Sequence, residues 1–197
     1  IISENTIGLS FPEHYLLSDE EFFQFCQANK NLRFERIRNE KFIIMSPTGG
    51  ETGRKNSRNL IELGNWNLQN NYGEIFVSST GFTLPDQSVF SPNVALIAHH
   101  RWNRLSPEEK KRFPPICPEF IVKLKSEKDS LQHLNEKIQL WLGQGIQLGW
   151  LIDPGKEKVY IYQPGQEVTI LEGFDQQLRG EPVLAGFALD LMVLRYS

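Results

Sequence analysis

The chain reads as a mixed α/β protein, with helices packed against a central sheet of mixed strand direction and extra β-hairpins attached. Three observations predict this. Two stretches carry apolar residues at helical spacing, around 54–70 and 130–143. Several short runs rich in Val, Ile and Phe lie between turn residues. The two kinds of segment alternate along the chain, in the order β, β, α, β, β, α, β, β. A chain of 197 residues with 40% hydrophobic and 23% charged content has the composition of an ordinary globular protein, most simply one domain spanning 1–197.

Ser18 followed by Asp19, Glu20 and Glu21 forms a capping box, which starts a helix over about 18–30. Phe22, Phe23, Phe25 and Cys26 supply its apolar face. "LRFERI" and "KFIIM" flank the turn "RNEK" as a hairpin, and "SPTGGETG" is a loop. On the helix from about 54 to 70, Leu60, Gly64 and Leu68 share a face with Ile61 beside them. "EIFVSS" and "SVFSPNVALIA" read as strands around the turn "LPDQ", and "SPEEKKRFPP" as a short charged helix stopped by prolines. A strand over 119–125 leads to the second long helix, whose stripe is Leu131, Leu134, Ile138 and Trp141. "LGWLID" and "KVYIYQ" form a hairpin through "DPGK", and "PGQEVTIL" and the segment through "LDLMVL" add edge strands.

Charge excludes some functions. With 21 basic and 24 acidic residues the net charge is -3, so any polyanion site must be local. Cys26 and Cys117 have no C-x-x-C spacing and read as free thiols in the core, in a reducing compartment. No apolar run approaches the roughly 20 residues that span a bilayer, and no signal-peptide pattern opens the chain. The expected location is the cytoplasm, with no membrane partner.

His99 and His100 are adjacent, and neighbouring strand residues face opposite ways, so they are poor joint metal ligands. His14 and His133 have no partner at ligand spacing. No zinc-protease, P-loop, dinucleotide or serine-hydrolase motif occurs. Arg54, Lys55 and Arg58 open a helix after a glycine loop, a pattern that suits phosphate or nucleic acid but reads more simply as a solvated basic face. Trp102, between Arg101 and Asn103, is the one suggestive base-stacking residue, and it reads more simply as packing at a strand end.

"FIVKLKS", 120–126, puts Lys123 and Lys125 on one face of an otherwise buried strand. Two like charges there need an anionic neighbour. Together with "SPNVALI" at 91–97, this puts Pro92-Asn93 at one strand start and Lys123-x-Lys125 on a following strand, the positions of a proline-plus-acid and acid-x-lysine pattern. "FERIRNEKFIIMSPTGG", "TGRKNSRNL", "SSTGFTLP", "CPEFIVKLKS" and "KIQLWLGQGIQLGWLIDP" extend the likeness over nearly the whole chain. In these segments the chain resembles the Uma-two family of restriction-endonuclease-like proteins.

The resemblance implies a restriction-endonuclease-like core and a Mg²⁺-dependent DNA endonuclease ancestry. Carboxylates at adjacent strand ends would hold the ion, and a lysine would assist the attacking water. Asn93 then stands in the aspartate position, Lys123 in the glutamate position, and Lys125 is the motif lysine. Glu35 resembles the family's further acidic residue, and Lys137 matches a helix lysine. Glu35, Asn93, Lys123 and Lys125 sum to +1 where the family pattern sums to -2, so no metal is expected to bind the chain as written.

Three readings follow. The chain is a nuclease fold with a dismantled metal site, weak or inactive, retained to bind nucleic acid or another partner. It is instead an active metal-dependent endonuclease with ligands recruited from Glu119, Asp86 or Asp129. Or it is a non-catalytic oligomeric module in which Lys123 snorkels from a strand end. DNA is the partner implied in the first two, and a homodimer through the late edge strands is open in all three.

Overall fold

The computed structural model describes residues 6–10, 17–38 and 41–195. The first elements are β1 (Thr6–Ser10), α1 (Asp19–Ala28), β2 (Arg33–Ile37), β3 (Lys41–Met45) and α2 (Gly50–Asn70). There follow β4 (Gly73–Val77), β5 (Phe82–Thr83), β6 (Val89–Phe90), β7 (Val94–Ala98) and two one-turn helices, α3 (His99–Trp102) and α4 (Pro107–Lys110). The second half holds β8 (Phe120–Leu124), α5 (Leu131–Gln144), β9 (Leu148–Asp153), β10 (Lys158–Tyr162), β11 (Thr169–Glu172), β12 (Gln177–Arg179) and β13 (Ala188–Asp190). His14 and the hairpin tip at 39–40 lie outside the described residues.

The central sheet has six strands in the order β11-β10-β9-β8-β7-β4. All neighbours are antiparallel except β8 and β9, which run parallel and are joined by the α5 crossover. That is the expected mixed sheet flanked by helices. One face carries Val94, Leu96, Phe120, Val122, Leu124, Trp150 and Ile152, covered by α2 and the C-terminal segment from Phe174 to Leu194. The other carries Ala95, Ile97, Ile121 and Leu151, covered by Leu134, Ile138 and Trp141 of α5. The stripe read from the sequence is therefore the packing face of α5.

A second sheet, β1-β3-β2-β6-β5, packs its own small cluster of Phe34, Phe42 and Val89 against Phe22 of α1. The Ser18 capping box is formed as expected. Its anchor is Arg36, 1% exposed, whose guanidinium donates to Asp19 and to the carbonyls of Leu17 and Gln87.

Several expectations are corrected. "SVFSPNVALIA" is two strands in two sheets, because "SPN" breaks the ladder: β6 joins the second sheet and β7 the central one. α2 starts at Gly50, inside the expected loop, and buries Asn59 and Leu63. Leu68 is 85% exposed and Ile61 49%, so the packing face lies about a third of a turn from the one expected. His99 and His100 follow the strand as expected and open the short helix α3, where His99 meets Asn71 and Glu74. "LMVL" is a 3-10 turn, and β12 and β13 form a separate two-stranded ribbon. Among the described residues no helix is long and apolar enough to cross a membrane.

Candidate functional site

The site forms where β7 and β8 leave the α5 side of the central sheet. Asn93 immediately precedes β7, and Val94 pairs with Val122, so Asn93 lies across from the end of β8. Its Oδ1 accepts the Leu124 N–H at 2.9 Å and its own N–H donates to the Val122 carbonyl at 3.0 Å. The side chain is 8% exposed and ties two strand ends together.

Alternation along β8 sends Val122 and Leu124 into the α2 face and Lys123 toward α5. Lys123 is partly buried, in register with Leu151 of β9. Burial, more than anything else, pulls its ammonium down to about 8. The cations Lys137 and Arg33 push the same way, and Glu35 and Asp129 oppose them. At pH 7 a group with that value is about nine-tenths protonated, so the site carries the charge.

Glu35 reaches this place from β2 and is 1% exposed. One of its oxygens accepts the Ser91 N–H at 2.9 Å, and the other is hydrogen-bonded and ion-paired to Lys137 of α5. The Lys137 ammonium also lies over the Phe90 ring, 5.2 Å from its centroid. Lys125 follows β8 on the same face as Lys123. Its ammonium donates to the Ser126 carbonyl at 3.0 Å and stands 4.0 Å from Asp153 Oδ2.

Glu35, Asn93, Lys123, Lys125 and Lys137, drawn from four separate segments, thus converge. Asp153, 3% exposed, was missed. Its Oδ2 is buried with no hydrogen bond, leaving Lys125 as its charge partner. The signal available for it was "LGWLID", an acid closing the strand that lies parallel to "FIVKLKS". Of the alternative acids, Asp129 borders the site, where Ser126 donates both its N–H and its hydroxyl to Oδ2.

Glu119 sits at the opposite end of β8, holding the Ala98 N–H at 3.2 Å and Arg101 at 3.0 Å. The five residues of β8 separate it from Lys125, six steps along the strand or about 20 Å. Asp86 is anchored beside Gln144, at the far end of α5. Arg54, Lys55 and Arg58 belong to α2 on the other face of the sheet, where Glu51 pairs with Arg54 at 3.2 Å and Lys55 at 3.4 Å. Trp102 packs on Phe76, with Lys110 over its ring.

The converging donors suit a magnesium ion poorly. The amide oxygen of Asn93 and both oxygens of Glu35 already accept hydrogen bonds, Asp129 is taken up by Ser126, and Asp153 faces the Lys125 ammonium, which leaves few free hard ligands of the kind Mg²⁺ prefers. Among the described residues no group of three or more His, Cys, Asp or Glu is placed to hold a metal.

The family profile Uma2, described as "Putative restriction endonuclease", matches residues 19–192, most of the chain. The chain belongs to the Uma2 family. A solved structure shares the Uma2 protein's fold: the crystal structure of a "putative nuclease belonging to DUF820" from Anabaena variabilis. It superposes with a TM-score of 0.70 at 21% identity, covering 91% of this chain and 97% of that one. No curated protein matches the chain.

Proposed function

We propose that this Uma2 protein keeps the restriction-endonuclease-like scaffold but has lost its metal-dependent catalysis, and that the altered site now serves to bind the phosphates of nucleic acid. Asn93 occupies the place of the family's aspartate and Lys123 that of its glutamate. The observation that carries this reading is the state of three groups that meet at the site. Asn93 is spent as a strand clamp, Lys123 brings an ammonium, and Glu35 is neutralised by Lys137. A divalent ion about 5 Å from the Lys123 ammonium would be repelled by roughly 7 kcal/mol at an effective dielectric near 20, an upper-end figure because the side chain can bend away or lose its proton.

Lys125 keeps its charge partner in Asp153, so the lysine arm of the original machinery stays ordered without a metal. An anion entering the site meets Lys123 and Lys125 on one face. Glu35, the nearest carboxylate from β2, is already paired.

The test is a double restoration. Asn93→Asp with Lys123→Glu is expected to gain Mg²⁺- or Mn²⁺-dependent plasmid nicking, because the scaffold and Lys125 are intact. The parent protein is expected to show none while binding DNA in a salt-sensitive manner. Nicking by clean parent protein that disappears on Lys125→Ala would overturn the reading in favour of an active nuclease. Absence of both nicking and DNA binding in parent and double variant would favour an interaction module instead.

A further inference from the structure

α2 is longer than the sheet it covers. Its 21 residues rise about 31 Å at 1.5 Å each, while the five residues of β4 beside it rise about 17 Å. The C-terminal end of the helix is pinned: the Asn67 side chain accepts the Gly73 N–H and donates to the Gly73 carbonyl, at 3.0 and 2.8 Å. Gly73 pairs with Ala98, so this end of α2 lies at the Glu119 end of the sheet. Running back along the helix leads past Leu63, packed in the core, toward Val94 and Val122. The surplus length therefore projects past the strand ends where Asn93, Lys123 and Lys125 lie.

None of residues 50–58 is buried. This projecting part carries Arg54, Lys55 and Arg58, with side chains of Arg54 and Lys55 27% and 20% exposed and Arg58 open to solvent. It also carries Glu51, which holds Arg54 and Lys55 in two weak, solvent-screened ion pairs on the helix surface. Such pairs yield readily to a stronger anion.

The charge balance of this end of the molecule is the second observation. At this end Arg33, Arg54, Lys55, Arg58, Lys123, Lys125, Lys128 and Lys137 stand with Glu35, Glu51, Glu127, Asp129 and Asp153, an excess of three positive charges. The whole chain is -3, so the remainder carries -6. The polarity is spatially sorted: one end of the sheet is basic in an acidic protein.

Resting on the nucleic-acid reading above, we infer that the projecting start of α2 is a second grip on a nucleic-acid duplex, whose phosphate backbone crosses the ends of β7 and β8. Arg54, Lys55 and Arg58 hold the backbone from one face of the sheet, and Lys123 and Lys125 meet it from the other. The side-chain cations carry this grip, and the helix dipole does not. It reads no base sequence, because guanidinium and ammonium contacts to phosphate position a duplex without specifying it.

The test is fluorescence anisotropy of the full chain with a mixed-sequence duplex across a salt series. Each lost phosphate contact lowers the slope of log K against log salt by about 0.9, so Arg54→Gln/Lys55→Gln/Arg58→Gln is expected to lower it by about 2–3. Glu51→Gln removes the competing carboxylate and is expected to tighten binding a few-fold at fixed salt. Circular dichroism confirms that α2 persists in both variants. An unchanged slope in the triple variant, with the parent still binding, overturns the α2 grip and leaves the site reading in place. Loss of slope only for Lys125→Gln overturns the grip in the same way. A parent that binds no duplex at any salt overturns both, and tighter binding to single strands than to duplex overturns the assignment of the ligand.

Discussion

Replacing Lys123 with Met removes a charge that burial penalises while keeping the shape of the chain. The ammonium falls from its ordinary 10.5 to about 8 in the folded protein, chiefly by burial. That difference of about 2.5 at 1.36 kcal/mol per pH unit corresponds to about 3 kcal/mol of destabilisation from the charged lysine. Below pH 8 the lysine is protonated in both folded and unfolded chains, and the full cost is present. Between pH 8 and 10.5 the unfolded chain binds more protons than the folded one, so stability climbs. Above 10.5 the cost is gone.

Lys123→Met is therefore expected to be more stable than the parent by about 2–3 kcal/mol at pH 7. The gap should close to under about 1 kcal/mol by pH 10.5. Urea unfolding followed by the fluorescence of buried Trp141 and Trp150 measures it. The difference between the two proteins is the quantity to read, because other groups titrate in the same window with the opposite sign. Burial pushes Cys26 up to about 11 and Cys117 and Tyr162 up to about 12, so the parent's own stability also falls as pH rises past their unfolded values. A parent-to-Met gap that stays constant with pH, or a Met variant less stable at pH 7, would refute the argument that Lys123 is held there against its solvation.

Three further outcomes follow from the same geometry. Glu35→Gln keeps an acceptor for Ser91 but leaves the Lys137 ammonium without its carboxylate, and chemical denaturation should show a loss of about 3–5 kcal/mol, largely recovered on adding Lys137→Met. Asn93→Leu orphans the Leu124 N–H and should cost about 1–3 kcal/mol, whereas Asn93→Asp keeps the acceptor and should cost less, as read by the urea midpoint. Gly73→Ala places a methyl 2.0 Å from the Ile97 carbonyl oxygen, so the β4–β7 pairing must open, and the thermal midpoint should fall as for a loss of about 3 kcal/mol or more.

Much of the fold was legible in the residues, and for definite reasons. The Ser18 capping box, the Leu134–Ile138–Trp141 stripe and the apolar runs of β7, β8 and β9 are local patterns whose period matches the element they form. The misreadings fall where local pattern and tertiary environment disagree. Leu68 and Leu60 are equally apolar in sequence, yet only Leu60 finds the core, because the strand ends determine which face of α2 is covered. "SVFSPNVALIA" is continuous in apolar character, but Ser91–Asn93 is where the chain passes between sheets.

The sequence by itself determined that β8 carries two lysines on one face, that Asn93 stands at the head of a buried strand, and that the chain has a nuclease family's outline. Those are facts of spacing, and spacing along an extended strand sets which side chains share a face. Only the tertiary structure decided what each charge meets. Lys137 takes Glu35 across 102 positions of sequence, Lys125 draws on Asp153, and α2 buries Asn59 and Leu63 while Leu68 faces solvent. Such partnerships depend on where strand ends fall in three dimensions, and electrostatic energy follows distance through space, which no local pattern of residues encodes.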